Sequence, residues 1–145
     1  MPLEYRIDRE RRVVFATAGR TMSDDDVFAY QREVWSSGDL AGFDEVVDLG
    51  AAVELAVSSS DRLRALAELA STMDVPGAPS RLAIVAPQDF AYGFARMFAT
   101  YRTMNPRGAK TVSVFRSMQA ALDWLGLESP GGSAGGVPPG PLVLR

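Results

Sequence analysis

The chain has 145 residues, a net charge of −3 at neutral pH and a hydrophobic fraction of 47%, which together favour one domain and give no reason to expect a nucleic-acid partner. It contains neither cysteine nor histidine. This excludes disulfides, thiolate nucleophiles, imidazole general bases and the usual zinc ligands. We therefore expect no cofactor, no metal site and no hydrolase or redox activity.

The sequence shows no sign of a membrane segment. No apolar run reaches the length of about 18 residues that a spanning helix needs. The first ten residues, MPLEYRIDRE, lack the apolar core of a signal peptide. The expectation is a cytoplasmic protein without membrane insertion. A cluster of four arginines, Arg6, Arg9, Arg11 and Arg12, is interpreted as a solvated hairpin turn.

The first half of the chain predicts a hairpin followed by alternating helices and strands. Apolar residues alternate with polar ones over 3–8, and the apolar run 13–18 follows after a short turn, so the two are expected to pair antiparallel. Ser23 is a predicted helix N-cap. The three aspartates after it complement the helix dipole, with metal ligation as the alternative. Residues 43–49 are a third strand, and 51–57 are either a strand or an irregular connector.

The second half repeats this alternation. Serines 58–60 and Asp61 precede a helix that ends at the Pro/Gly segment 75–79. The apolar run 82–86 predicts a buried strand, and the following helix is expected to turn its apolar stripe toward the sheet. That stripe consists of Phe90, Phe94, Met97, Tyr101 and Met104. Residues 111–115 form a last strand. Ser117 caps a last helix that ends at Gly126, with Trp124 expected to point away from the core.

The order of elements is therefore β-β-α-β-α-β-α-β-α. It predicts an α/β fold with four helices and a mixed, mostly parallel five-stranded sheet, whose first strand is the antiparallel edge. Residues 1–127 are predicted to form the domain. The Gly/Pro-rich residues 128–145 are a tail outside the folding unit.

Several short stretches point to a known fold: 5–8, 47–49, 83–87, 93–97, 114–116 and 121–125. Together they resemble the STAS-like fold of the sporulation anti-anti-sigma factors, and most closely a group of uncharacterised bacterial STAS-like proteins. The resemblance covers residues 3–126. It implies a layered α/β domain whose strands lie side by side in chain order. Members of the wider fold regulate protein partners or sense ligands, and the related CRAL-TRIO group binds lipids.

The regulatory members of that fold carry a phosphorylated serine before their second helix. Ser58, Ser59 and Ser60 occupy the comparable place, where a helix N-terminus would favour a phosphate. However, Asp61 follows the serines instead of preceding them, and the glycines of the family motif are missing. Plain N-capping is the alternative interpretation.

A candidate ligand site lies where the parallel strands end, because ligands of open α/β sheets bind at that edge. It comprises Asp48, Gln88, Asp89 and Arg116, with Ser59 nearby and Tyr92 and Arg96 on the adjoining helix. Asp48 and Asp89 form a possible carboxylate pair, and Arg116 a possible anion anchor. In the alternative, these side chains only cap helices or pair with each other and with backbone amides. Gly93, inside the same helix, indicates close approach of a neighbouring backbone or a ligand.

Two helices carry aromatic residues beside their predicted core stripes. The candidate interface residues are Phe28, Trp35, Ala91 and Phe98. An exposed apolar patch usually marks an interface, and a symmetric homodimer is its commonest form. In the alternative, these residues are core within one chain.

The sequence leaves three functions open. The first is a non-catalytic STAS-like regulatory or binding domain that acts through a protein partner or a small ligand. The second is a carrier of an apolar or lipid ligand, which a sizeable apolar pocket would favour. The third is a small carboxylate-dependent enzyme, which Asp48 and Asp89 converging in a cleft would favour.

Overall fold

A computed structural model of the chain describes residues 3–56 and 59–128. Within these residues the elements, in chain order, are β1 (Leu3–Asp8), β2 (Val13–Ala18), β3 (Thr21–Ser23), α1 (Asp24–Trp35), β4 (Asp44–Asp48), β5 (Glu54–Ala56), α2 (Ser60–Met73), β6 (Ser80–Val85), α3 (Asp89–Met104), β7 (Lys110–Phe115) and α4 (Met118–Leu125). The predicted tail from residue 129 onward lies outside the described residues, as does Ser58.

The main sheet has the spatial order β1-β2-β4-β6-β7. β1 pairs antiparallel with β2, and each later pair is parallel. The parallel strands are joined by helical crossovers, so their apolar side chains are buried on both faces. The predicted fold class, with the strands side by side in chain order, is confirmed.

Strands β3 and β5 form a separate two-stranded parallel sheet in which Met22 lies opposite Leu55. The amides of Val53 and Glu54 also donate to the carbonyl of Arg20, at 2.7 and 3.1 Å. The ambiguous stretch 51–57 thus contains a strand, and β3 was not predicted. Three-residue strands are too short to show a hydrophobic period, so only the pairing partner reveals them.

The helices cover the sheet unequally. One core contains buried residues of α1 and α3 against one face of the sheet, while α4 packs on the other face through Ala121, Leu122 and Leu125. Helix α2 packs against α1 and α3. The prediction that Trp124 points away from the core is wrong. Its ring packs 5.4 Å from the Phe115 ring and lies 5.1 Å from the Arg81 guanidinium.

The predicted core stripe of α3 is wrong. Phe90, Met97 and Met104 are 40%, 40% and 70% exposed, and the buried residues of the helix are instead Ala91, Ala95 and Arg102. Small alanines let the helix approach the sheet closely, and Arg102 is buried because it pairs with Asp74, the residue that follows α2. The apolar stripe is therefore turned partly outward.

The candidate interface residues are also not exposed, as an interface between two chains would require. Phe28, Trp35 and Ala91 are buried within the chain, and Phe98 is half-buried against the first core. The Arg62 guanidinium lies 4.2 Å from the centre of the Phe28 ring, and the Lys110 ammonium lies 3.5 Å from the centre of the Trp35 ring. Stacked cations from other elements cover both rings, which the sequence of one helix does not show.

Gly93 lies in open space, since an added methyl group would meet no atom within 4 Å. The expected close approach of a backbone is therefore wrong.

Gly93→Ala should raise the free energy of unfolding by about 1 kcal/mol, because alanine gives up less backbone entropy in a helix. Thermal denaturation followed by circular dichroism measures this as a rise of a few degrees.

The matched control is Gly38→Ala. Gly38 also has open space around it, but its φ of +80° disfavours any side chain. This variant should lose stability although it adds the same methyl group. Equal losses in the two variants would contradict the open helical environment of Gly93.

Candidate functional site

Four of the predicted ligand-binding residues lie together on the surface. Arg116 forms an ion pair with Asp89 at 2.6 Å, and its guanidinium lies 3.9 Å from the centre of the Tyr92 ring. Arg96 approaches the same ring at 5.8 Å. The side chains of Arg116 and Asp89 are 51% and 95% exposed, so the cluster is a solvated ion pair on an aromatic ring and not a cleft.

The other three predicted residues lie in a turn and at helix N-caps. Asp48 accepts a hydrogen bond from the Gly50 amide at 2.8 Å. Ser59 caps α2 by accepting from the Arg62 amide at 3.1 Å. Gln88 is the N-cap residue of α3 but makes no capping bond with its side chain. Asp89 pairs with Arg116, and Asp48 accepts a backbone amide of its own turn. These are the contacts expected if the residues cap helices or pair locally instead of binding a ligand.

The aspartates at the start of α1 have protein partners. Asp26 and Ser23 form a capping box, in which the Asp26 carboxylate accepts from the Ser23 amide at 2.8 Å. Arg62 of α2 pairs with Asp24 at 3.3 Å and with Asp25 at 2.6 Å. The predicted N-cap is confirmed, and the acidic run also joins α1 to α2.

An apolar cavity of about 100 Å³ lies between the sheet and helices α1, α2 and α3. Its walls come from these helices, the core-facing side of the sheet and the small sheet β3–β5. The apolar lining residues are Leu3, Met22, Val27, Val47, Leu49, Leu55, Leu63, Leu66, Leu82, Ile84, Phe94, Ala95 and Phe98. Met22, Val27, Leu55 and Phe94 are only partly buried, so solvent reaches part of the lining.

A buried polar network forms one end of this cavity. The Tyr30 hydroxyl donates to Oε2 of Glu45 at 2.6 Å and accepts from the Trp35 indole at 3.2 Å. The Lys110 ammonium donates to Oε1 of Glu45 at 3.3 Å. Tyr30 lines the cavity, Lys110 and Trp35 line a smaller hollow of about 20 Å³, and Glu45 lines both. The network therefore separates an apolar cavity from a polar one.

Burial raises the pKa of Tyr30 well above its ordinary value near 10, and the adjacent Glu45 carboxylate adds to the shift. The folded chain thus keeps this proton at a pH where the unfolded chain loses it. The stability that this shift contributes is fully present below about pH 10 and falls as the pH rises above that value.

Tyr30→Phe should remove this part of the loss of stability at alkaline pH, as measured by denaturant unfolding at about pH 9 and about pH 11. Tyr101→Phe, on the outer part of α3, should keep the wild-type loss.

Sequence reasoning missed the cavity and its network. One signal was present, because Glu45 is a charged residue inside a predicted strand of a mostly parallel sheet. A carboxylate in a strand buried on both faces needs partners, and such groups are often functional. Its partners come from α1 and β7, at 15 and 65 residues along the chain.

The described part of the chain holds no group of three or more acidic, histidine or cysteine residues arranged to bind a metal ion. Within the same residues, no helix is both long and apolar enough to cross a membrane.

The sequence matches no protein-family model and no curated protein sequence. The fold is similar to that of an uncharacterized protein of the DUF3478 family from Shewanella loihica PV-4, whose crystal structure is described as SpoIIAA-like. The TM-score is 0.53 and the sequence identity 15%, over 85% of this chain and 93% of that one. Over the residues that the structure describes, the chain therefore has the SpoIIAA-like, or STAS-like, fold, as its sequence motifs suggested.

Proposed function

We propose that the chain is a non-catalytic binding domain that holds a small apolar molecule in the cavity between the sheet and helices α1–α3. The observation that carries this is the cavity itself, about 100 Å³ in volume and lined almost wholly by aliphatic and aromatic side chains. Such a pocket with a few converging polar groups is the usual form of a small-molecule site. Of the three functions that the sequence leaves open, it supports the carrier best.

The size of the cavity sets the size of the ligand. An apolar cavity of about 150 Å³ engineered into another protein stays dry and binds benzene. A space of about two thirds of that volume, open at one side, suits a single ring or a short aliphatic chain, with any longer part extending through the opening. The candidate carboxylates Asp48 and Asp89 are each held in their own local contacts, which supports a binding role over a catalytic one.

The test is a substitution that fills the cavity. Ala95 is a buried lining residue on α3, so Ala95→Phe should place a ring in the space and weaken toluene binding by at least about tenfold. Binding is measured by titration with toluene, followed by amide chemical shifts. Ala29→Phe is the matched control, because Ala29 lies exposed on α1.

The expected result is toluene binding by the wild type and the control, with its loss in a folded Ala95→Phe chain. Equal binding to all three chains would show that toluene binds outside the cavity. A wild type that binds neither toluene nor another ring of similar size would show that the cavity is ordinary core. Native mass spectrometry of the chain purified from its own host would show a retained ligand directly.

A second candidate is self-association, which we propose for the outward side of α3. The observation that favours it is the exposure of Phe90, Met97 and Met104 along one edge of that helix. A symmetric pair of chains would cover the same edge on both copies. Met97→Asp should give a folded monomer by sedimentation. Thr103→Asp should not change the sedimentation, because the exposed Thr103 lies about 120° around the helix from Met97. A wild type that sediments as a monomer at high concentration would rule self-association out.

A further inference from the structure

We infer that the ligand of the cavity carries a hydroxyl or amino group, not a carboxylate, and that this donor binds to Glu45. The inference rests on the proposed function and names the chemical class of the ligand. It comes from the charges that surround the cavity and from the hydrogen bonds that Glu45 already makes.

The cavity offers two carboxylates and no cation, beside the neutral polar residues Ser23, Tyr30 and Gln31. Its charged lining residues are Asp24 and Glu45, and none of the described lining residues is lysine or arginine. Both carboxylates belong to buried residues, with 6% and 4% exposure. Lys110 contacts Glu45 from the far side, where its ammonium lies against the Trp35 ring and lines the smaller hollow. The cation that pairs with Glu45 thus lines only the smaller hollow, whereas the Glu45 side chain lines both spaces.

The Glu45 carboxylate can accept more hydrogen bonds than the two described. Its Oε2 accepts the Tyr30 hydroxyl and its Oε1 accepts the Lys110 ammonium. Each carboxylate oxygen has two lone pairs and accepts more than one hydrogen bond. A ligand hydroxyl or amine at this end would make a charge-assisted hydrogen bond in a site shielded from water, where such bonds are strong.

An anionic ligand suits the same place poorly. A carboxylate there would lie beside Asp24 and Glu45, whose cations Arg62 and Lys110 do not line the cavity. It would lose its water without gaining a cation. A pure hydrocarbon would fill the space but leave the remaining lone pairs of Glu45 without a donor. The geometry therefore favours an apolar body with one donor group.

The experiment compares four probes of similar size, toluene, benzyl alcohol, benzylamine and benzoate, in titrations against the full chain. The test variant is Glu45→Gln combined with Lys110→Met, which keeps the shape of residue 45 and leaves no buried charge unpaired. Benzyl alcohol or benzylamine should bind at least about tenfold more weakly to this variant, while toluene changes less than about twofold. The alcohol and the amine distinguish a neutral donor from a cationic one.

Tyr30→Phe is the second variant and acts in the opposite direction. It removes the partner of Oε2, so that a ligand hydroxyl takes the vacated position. Benzyl alcohol should therefore bind several-fold more tightly to this variant, again with little change for toluene. Near-ultraviolet circular dichroism checks that each variant is folded, and either variant alone is sufficient for the test.

The outcomes separate the inference from the proposed function. If toluene binds and the donor probes respond to the substitutions no more than toluene does, the inference is wrong and the apolar site stands. The inference is also wrong if benzoate binds the wild type more tightly than benzyl alcohol. If none of the four probes binds, both the inference and the proposed function are wrong.

Discussion

Replacing Arg102 by methionine should lower the free energy of unfolding by about 3–5 kcal/mol, because it leaves a buried carboxylate without its cation. Arg102 binds Asp74 through two hydrogen bonds, of 2.9 and 3.1 Å, and the two side chains are only 3% and 6% exposed. A further bond of 2.8 Å joins Arg102 to Ser71. Urea denaturation followed by circular dichroism measures the loss.

The effect should extend to the start of β7. Asp74 also accepts the backbone amides of Ala109 and Lys110, at 2.8 and 3.1 Å, so it fixes the loop that enters this strand. Hydrogen exchange at these two amides should therefore accelerate in Arg102→Met. The loss of the guanidinium thus weakens the connection between α2, α3 and the edge of the sheet.

Arg116→Met is the matched control. Arg116 pairs with Asp89 at a shorter distance, 2.6 Å, but both side chains are exposed to water. Exposed pairs contribute roughly 0–1 kcal/mol, because solvent screens them and side-chain entropy opposes them. Similar losses in the two variants would show that burial does not decide the strength of these pairs.

Replacing Lys110 alone by methionine should cost about 3–5 kcal/mol, for the same reason. Glu45 would then be a buried charge held only by the Tyr30 hydroxyl. The side chains of Glu45 and Lys110 are each 6% exposed, so water replaces the lost partner poorly. The substitution also removes the cation from the Trp35 ring.

The double variant Glu45→Gln, Lys110→Met should recover most of that loss. Removing both charges removes the cost of keeping them from water, and the amide oxygen of the introduced glutamine still accepts from Tyr30. We expect the double variant to lie within about 1.5 kcal/mol of the wild type, and the full cycle gives the coupling energy. A double variant as unstable as Lys110→Met alone would show that the network, not the unpaired charge, supplies the stability.

Much of the fold was predictable because it depends on local patterns. β2 was placed at its observed bounds from an apolar run, and α1 and α4 were placed from the serines at their N-caps, Ser23 and Ser117. Caps, breakers and hydrophobic period act over a few residues, so a sequence window contains all the information that they need.

The orientation of α3 was not predictable in the same way. Its most apolar stripe predicted the buried face, yet the helix packs through Ala91 and Ala95 and buries Arg102. Which face is buried depends on what the neighbours supply. Asp74 supplies an anion for the guanidinium, and the sheet accepts a close helix with small side chains, but neither fact lies within the α3 sequence.

The candidate site shows the same division. Asp48, Asp89 and Arg116 were placed at the strand ends from the topology, but the structure pairs them locally instead of assembling a cleft. The cavity arises from segments between residues 3 and 98, and its polar end joins residues on three separate elements.

The sequence by itself determined the four helices and the five strands of the main sheet, their chain order, and the exclusion of cysteine and histidine chemistry. Only the tertiary structure decided which side of α3 is buried, that Phe28 and Trp35 are core, and that an apolar cavity lies beside Glu45. The physical reason is range. Helix and strand formation depends on neighbours along the chain, whereas cavities and buried ion pairs depend on groups that the fold brings together from distant positions.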